Sequence, residues 1–155
     1  AKKLIEPINY VVVTFNPWLQ NKLKNSYKTF EINTFFKQIL LPLSFLISIF
    51  YVVFGRNIIS ILGSEEFIDS YAPMLILLIG FIFYLYTFWI RQYLLFNDLI
   101  TFHAYGRLIY SGVFLLLSIS LVGTYSSIGI AISLSSAMVL QKTYEYVIYK
   151  KKLKS

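Results

Sequence analysis

Five polar side chains recur at helical spacing in the otherwise apolar first twenty residues. This polar stripe has separations of four, three, seven and four positions: Lys2, Glu6, Asn9, Asn16 and Gln20. At about 100° per helical residue, its members fall within an arc of roughly 80° on one helix face. Ammonium, carboxylate and amide groups on a single face can contact a polar ligand or a polar partner helix. What the polar stripe faces depends on the surroundings of the helix.

The composition is typical of a membrane protein. Apolar residues make up 57% of the chain and charged residues 14%, and the mean hydropathy is +0.67. Soluble domains carry about 25% charged residues. Three long runs contain no charge, at 38–55, 70–90 and 108–141. A helix that spans a bilayer needs about 20 mainly apolar residues, so these runs predict several membrane spans.

The predicted fold is an all-α, polytopic transmembrane bundle of about five helices. Their approximate ranges are 2–20, 34–55, 69–96, 102–122 and 126–150. A short interfacial helix is predicted at 56–62, and the sequence GTYSS at 123–127 predicts a turn between the last two helices. The chain 1–155 is interpreted as one bundle.

The basic residues predict the orientation of these helices. The loop at 21–37 holds four lysines and one acid, the segment 63–71 holds three acids and no base, and the tail 142–155 holds five lysines. Basic segments stay cytoplasmic, so the net charge of +7 is attributed to orientation and no nucleic-acid partner is expected. Trp89 is predicted in the interfacial belt at the cytoplasmic end. The chain then starts outside, on Ala1, and at least one preceding helix is expected.

Several chemistries are excluded or disfavoured by composition. The sequence has no cysteine, so disulfides, thiolate metal sites and cysteine nucleophiles are excluded. A single histidine, His103, cannot form a metal site alone. With no phosphate-cradling glycine loop and no paired catalytic carboxylates, neither enzymatic activity nor a cofactor is expected.

A small set of local sequences resembles a known family. The first predicted helix ends in Asn-Pro, the second carries a proline and then FGRNIISILGSEEF, the pair AP opens the third, and SLVGTYSSIGIAISLSSAMVL joins the last two. Together they are similar to the C-terminal portion of bacterial polysaccharide flippases of the O-antigen, Wzx type, which are related to multidrug-and-toxin-extrusion transporters. The resemblance implies two six-helix bundles around a cleft, of which these would be helices eight to twelve and the N-terminal half would be missing. It also implies a polyprenyl-diphosphate-linked oligosaccharide as substrate, carried across the bacterial cytoplasmic membrane among membrane lipids.

Seven residues are the candidate substrate-binding groups: Lys2, Lys3, Glu6, Asn9, Asn16, Arg56 and Arg91. An ionised side chain near the bilayer centre costs about 2.5–3.5 kcal/mol, so the polar stripe is expected to face a cleft. The alternative is that the stripe only joins helix to helix.

The arginines also have two interpretations each. Arg56 either snorkels to the outer interface beside Glu65 or Glu66, or it meets a phosphate there. Arg91 and Arg107 either set the orientation of the loop or gather a diphosphate at the inner mouth. For His103 an interfacial hydrogen bond is favoured over proton coupling.

Small residues recur along the last predicted helix: Ser127, Gly129, Ala131, Ser133, Ser135 and Ala137. They predict close packing against the preceding helix, because small side chains let helix backbones approach in membranes.

Two other functions remain open. A cation-coupled multidrug exporter would need acidic residues deep in the cleft, and Glu6 is the one candidate. A non-transporting membrane subunit that scaffolds a glycan-assembly enzyme would need a polar stripe without a watery cavity.

The predicted topology can be tested by cysteine labelling, because the sequence contains no cysteine. Single cysteines at Asn25 and Ser155 should react with an impermeant thiol reagent only from the cytoplasmic side. A cysteine at Ser64 should react only from outside. The opposite labelling would overturn both the topology and the family placement.

Overall fold

The computed structural model describes residues 41–63 and 65–154, together with Thr14, Pro17 and Gln38. Every described residue outside 97–99 and the break at Ser126 is helical, and the described part contains no strand. The all-α prediction is therefore confirmed for these residues. Apart from Thr14 and Pro17, the first predicted helix, at 2–20, lies outside the described residues, and so does the whole basic loop at 21–37.

Three long helices and one short one make up the two longer described segments. They are α1 (Leu41–Gly63), a six-residue 3-10 helix (Glu65–Ser70), α2 (Tyr71–Phe96) and α3 (Ile100–Lys154). In the described part of the chain, the three long helices are long and apolar enough to cross a membrane. The count of five spans and the arrangement in two bundles remain predictions.

Helix α1 continues through the position at which a separate helix, 56–62, is predicted. Gly55 lets the continued helix pack closely against α2. A Cβ at this position would lie 2.7 Å from Met74 Cε and 2.9 Å from the Tyr71 ring, which is too close. The Tyr71 hydroxyl donates to the Val52 carbonyl at 2.6 Å. The end of α1 is therefore held against the start of α2. The segment 56–62, predicted as a separate interfacial helix, is the last part of α1.

Helix α2 has α1 on one side and α3 on another. Its partners on α1 are Ile47 and Tyr51, which pack against Phe81 and Leu85. Further along, α2 supplies most of a second apolar core: Phe88, Trp89, Ile90, Tyr93, Leu94, with Tyr149 from α3.

The position of Trp89 differs from the sequence prediction. Its side chain is only 2% exposed, and its ring meets that of Tyr149 edge-on at 4.7 Å. The Tyr149 ring also lies 4.9 Å from that of Tyr93, again edge-on. Edge-to-face contacts at these distances are favoured by aromatic quadrupoles. Trp89 is therefore a core residue that joins α2 to α3 and not an exposed belt residue.

The turn at 97–99 reverses the chain between α2 and α3. The Asn97 N–H and its side-chain amide both donate to the Tyr93 carbonyl, and the Leu99 N–H donates to the Leu94 carbonyl at 2.9 Å. Asp98, between them, has φ of 55°. This is the pattern of a helix end closed by a left-handed residue, a conformation that aspartate tolerates better than most.

Helix α3 is broken at Ser126, whose φ of 48° and ψ of −121° are not helical. The break lies inside the segment 123–127 in which the sequence predicts a turn. A Cβ on Gly129 would lie 2.5 Å from the Leu121 carbonyl oxygen. Eight residues of continuous helix would separate these positions by about 12 Å. The two arms, α3a (100–125) and α3b (127–154), therefore fold back on each other.

The small residues of α3b contact two helices, whereas the sequence predicts one. Buried positions alternate along this stretch, and a step of two residues turns a helix by about 200°. Gly129 accordingly faces Leu121 of α3a, while Ser135 faces Gly80 of α2, whose added Cβ would lie 3.0 Å from the Ser135 Cα. Helix α3b is thus wedged between α3a and α2.

This packing predicts opposite effects for the same substitution at two glycines. Gly129→Ala should lower the free energy of unfolding by about 1–3 kcal/mol, because the Leu121 backbone cannot yield to the methyl group. Gly112→Ala, at a position with no atom within 4 Å, should raise it by about 0.5–1 kcal/mol through helix propensity. Denaturation of the detergent-solubilised protein measures both. Equal effects of the two substitutions would contradict the hairpin.

Candidate functional site

Besides Ser133 and Ser135, three polar residues of the largely apolar helix α3b are buried, and all three are long side chains. They lie in the sequence QKTYE and are Gln141, Lys142 and Glu145, exposed by 5%, 2% and 0%. Positions 141 and 145 are one turn apart and share a face, and Lys142 lies about 100° away. Thr143, between them, is exposed. Helix α3b therefore directs the charged pair Lys142 and Glu145, and the amide of Gln141, toward the neighbouring helices.

The Glu145 carboxylate accepts three hydrogen bonds. Its Oε1 accepts from His103 Nδ1 at 2.9 Å and from Gln141 Nε2 at 2.9 Å, and its Oε2 accepts from Lys142 Nζ at 2.7 Å. The donors come from both arms of α3, since His103 belongs to α3a. We call these four residues the Glu145 cluster. A buried carboxylate is tolerated when paired and hydrogen-bonded, and here both oxygens have partners.

Gly106 lets α3a approach this carboxylate. A Cβ at that position would lie 3.2 Å from Glu145 Oε1 and 3.5 Å from Gln141 Cγ. A branched side chain at this position would push the arm away and lengthen the His103 contact. Gly106 is one helical turn from His103, so both residues lie in the same part of the contact between α3a and α3b.

Lys142 extends the Glu145 cluster to α2. Its Nζ lies 5.0 Å from the centre of the Tyr84 ring, within the range of a cation–π contact. The ammonium group therefore has a carboxylate on one side and an aromatic face on the other. The Lys142 side chain therefore links α3b to α2.

Two arginines add positive charge at the end of the helices that carries the Glu145 cluster. Arg91 of α2 and Arg107 of α3a are the two further cations whose charges act on Lys142 and Tyr84. Arg91 is half-buried, and its Nε is buried without a hydrogen-bond partner, whereas Arg107 is exposed. We call Arg91, Arg107 and Lys142 the basic junction. It lies at the end of the bundle that the charge pattern predicts to be cytoplasmic.

The two predicted site residues that the structure describes, Arg56 and Arg91, are not brought together. The guanidinium of Arg56 lies 5.7 Å from the centre of the Tyr71 ring, at the first residue of α2. Arg91 comes twenty positions later on that helix, about 30 Å along its axis. The other candidates lie outside the described residues: Lys2, Lys3, Glu6, Asn9 and Asn16. The two arginines therefore mark opposite ends of α2.

Sequence reasoning missed the centre of this site. The sequence analysis places Lys142 and Glu145 in the charged tail, whose lysines set orientation, and Gln141 at the end of the uncharged run 108–141. The signal available was that all three lie within the predicted helix 126–150, where a glutamate inside an apolar helix requires partners. His103 was predicted to be satisfied at the interface, and its hydrogen bond to Glu145 agrees with that.

Comparison of the chain with protein-family models, with curated proteins and with solved structures gives no match. Among the described residues, no group of three metal-ligating side chains occurs.

A double-mutant cycle tests whether the buried pair acts as a unit. Glu145→Gln should cost about 3–5 kcal/mol of stability, because it leaves the Lys142 charge buried and unpaired. Lys142→Met should cost a similar amount. The double variant should cost less than the sum by more than about 1 kcal/mol, since no lone charge remains. Thr143→Ala, exposed on the same helix, should change stability by less than about 0.5 kcal/mol. Additive losses would contradict the pairing.

Proposed function

We propose that the protein is a multi-pass flippase of the bacterial cytoplasmic membrane that translocates a polyprenyl-diphosphate-linked oligosaccharide for surface polysaccharide synthesis. The observation that supports this most is a set of charged residues enclosed by helices that are apolar enough to span a membrane. Charged side chains in such helices are costly, and they usually mark a substrate or ion pathway. The sequence resemblance to polysaccharide flippases supports the same proposal.

The distribution of positive charge suits a lipid-linked diphosphate. In the proposal, Arg91 meets the diphosphate at the inner mouth, and Arg56 meets it at the outer mouth with Lys2 and Lys3. A guanidinium binds phosphate oxygens through paired donors, which makes arginine well suited to both positions. Glu6, Asn9 and Asn16 would line the path of the sugar between them, while the polyprenyl tail stays in lipid.

Alternating access would connect the two ends. In transporters of this kind, two bundles rock around a central site that opens to one side of the membrane at a time. The Glu145 cluster holds α2, α3a and α3b together through hydrogen bonds and a cation–π contact. In the proposal these segments move as one rigid unit during the rocking step.

A cation-coupled multidrug exporter is the second candidate, and the burial of Glu145 favours it. Such an exporter needs a buried carboxylate that exchanges a proton or a sodium ion. Glu145, however, already accepts hydrogen bonds from Lys142, His103 and Gln141. An ion would have to replace one of these donors, so the flippase is preferred.

Surface display of a polyprenyl-linked glycan in cells that lack their own flippase tests the proposal. Arg91→Gln, Arg56→Gln and the double alanine variant of Glu6 and Asn9 should each lower display about tenfold, because each removes a charged or polar substrate contact. Lys151→Gln, on an exposed residue of α3b, serves as the matched control and should leave display unchanged.

The amount of each variant in the membrane must be equal for the comparison. Normal display by all three variants at equal abundance would overturn the flippase assignment and leave a scaffold function. Loss of resistance to cationic drugs in Glu145→Gln cells, with display intact, would favour the multidrug exporter.

A further inference from the structure

Helix α3b carries a continuous exposed face near its C-terminal end. Between positions 140 and 151 its exposed residues are Leu140, Thr143, Val147, Lys150 and Lys151, which we call the lysine face. At about 100° per residue these five side chains fall within an arc of about 100°. The centre of the arc points about 150° away from Tyr149, which packs against α2. The lysine face is therefore the side of α3b that α2 does not cover.

The first part of the lysine face is suited to hydrocarbon. Leu140 and Val147 are exposed by 48% and 44%. The hydroxyl of Thr143, which lies between them, donates to the Val139 carbonyl at 2.8 Å. A polar group that faces lipid must find its partner within the protein, and the helix itself provides this one. The two lysines follow within one turn of Val147, so the face changes there from apolar to cationic.

The packing of α3b against α2 fixes the depth of the two lysines. Gly80 meets Ser135, and further along Tyr93 meets Tyr149, so the two helices run in the same direction. Both advance by about 1.5 Å per residue. The lysines come directly after Tyr149 and therefore lie beside the last turn of α2, close to the turn 97–99, whose exposed residues are polar. This is the end of the bundle that carries the basic junction.

Positive charge is in excess at this end. From position 146 to the end of the sequence there are four lysines and no acid. Helix α3 continues to Lys154, so these lysines are carried on a helical extension of the apolar span. The Nζ of Lys150 lies 4.9 Å from the centre of the Tyr146 ring, within the range of a cation–π contact. Asp98, the exposed acid of the turn 97–99, balances one of these charges at most.

We infer that the lysine face binds the anionic headgroups of the adjacent bilayer leaflet, with the chains of those lipids over Leu140 and Val147. The ammonium groups of Lys150 and Lys151 attract the headgroup phosphates, as basic residues directly outside a membrane span do. Phosphatidylglycerol, with one net negative charge, is the simplest lipid of this class. The charge pattern predicts that this leaflet is the cytoplasmic one. The bound lipid is a component of the surrounding leaflet and is not the proposed cargo.

A lipid fits this face better than other occupants do. A soluble acidic protein would leave Leu140 and Val147 uncovered beside the lysines. A further helix would cover the apolar positions and desolvate the ammonium groups, which is costly without a carboxylate partner. Lipid covers both parts, because hydrocarbon gives way to phosphate with depth in the bilayer. The face changes from apolar to cationic in the same order.

Fluorescence quenching by spin-labelled lipids tests the inference in the full-length protein. The chain contains no cysteine, so Val147→Cys can carry a single fluorophore on the lysine face. The bilayer is phosphatidylcholine with a small fraction of spin-labelled phosphatidylglycerol or, for comparison, of spin-labelled phosphatidylcholine. The local ratio of phosphatidylglycerol to phosphatidylcholine should exceed the bulk ratio about fivefold or more, since one lysine at the surface contributes about that factor. The excess should disappear in about 1 M salt, where charges are screened within about 3 Å.

Substitutions identify the charge responsible. The double variant Lys150→Gln, Lys151→Gln should lower the ratio about fivefold. Lys150→Arg with Lys151→Arg should keep it, because mobile headgroups respond to the charge that arginine retains. Ile119→Cys carries the matched control fluorophore, since Ile119 is 80% exposed on α3a and lies toward the other end of the bundle. There the bulk ratio is expected in every variant. The melting temperature of each variant confirms that it is folded.

Three results would overturn the inference. Equal ratios at Val147 and Ile119 would show that lipid selection has no defined place on the protein. An unchanged ratio in Lys150→Gln, Lys151→Gln would assign the selection to other charges. Absence of quenching by either lipid at Val147 would show that protein covers the face.

Discussion

The carboxylate of Glu145 is the constraint on which the packing of α3 depends. A charged oxygen enclosed by apolar helices is tolerable only when donors surround it, because water is not there to solvate it. The three donors that meet this need come from two arms of one broken helix, with Lys142 also contacting α2. The positions of α3a, α3b and α2 relative to one another follow from satisfying one side chain.

Small residues make this arrangement sterically possible. Gly106 admits the carboxylate, Gly129 admits the backbone of α3a near the break at Ser126, and Gly80 admits α3b against α2. In a bilayer there is little hydrophobic gain from pairing two apolar helices, so close backbone approach and buried polar contacts provide the attraction. Close backbone approach and buried polar contacts both occur on α3b, which contacts α3a on one side and α2 on the other. The outer faces of α1 and α3a, by contrast, carry the exposed apolar side chains suited to lipid.

The sequence predicted the local features of the fold and missed the long-range ones. Uncharged runs predicted apolar helices, and GTYSS predicted a turn where Ser126 breaks the helix, because both effects are local. The burial of Trp89 depends on Tyr149, and the bond of Glu145 to His103 joins residues 42 positions apart. Contacts between residues so far apart in the sequence leave no helical repeat from which they could be predicted. The small residues of α3b were also predicted to pack against one helix. They alternate along the chain, and a step of two residues turns the helix by about 200°, so they face two helices.

Disulfide cross-linking across the two arms measures the central claim most directly. The cysteine-free sequence permits a pair at Gly106→Cys and Gln141→Cys, positions where an added Cβ on Gly106 lies 3.5 Å from Gln141 Cγ. The Cβ of residue 141 is one bond from that Cγ, so the account predicts that the two Cβ atoms approach the separation of about 4.5 Å that a disulfide spans, and that this pair cross-links in membranes. The pair Gly112→Cys and Gln141→Cys, displaced by about 9 Å along α3a, should not. Absence of the first cross-link, or equal formation of both, would contradict the burial of Glu145 against α3a.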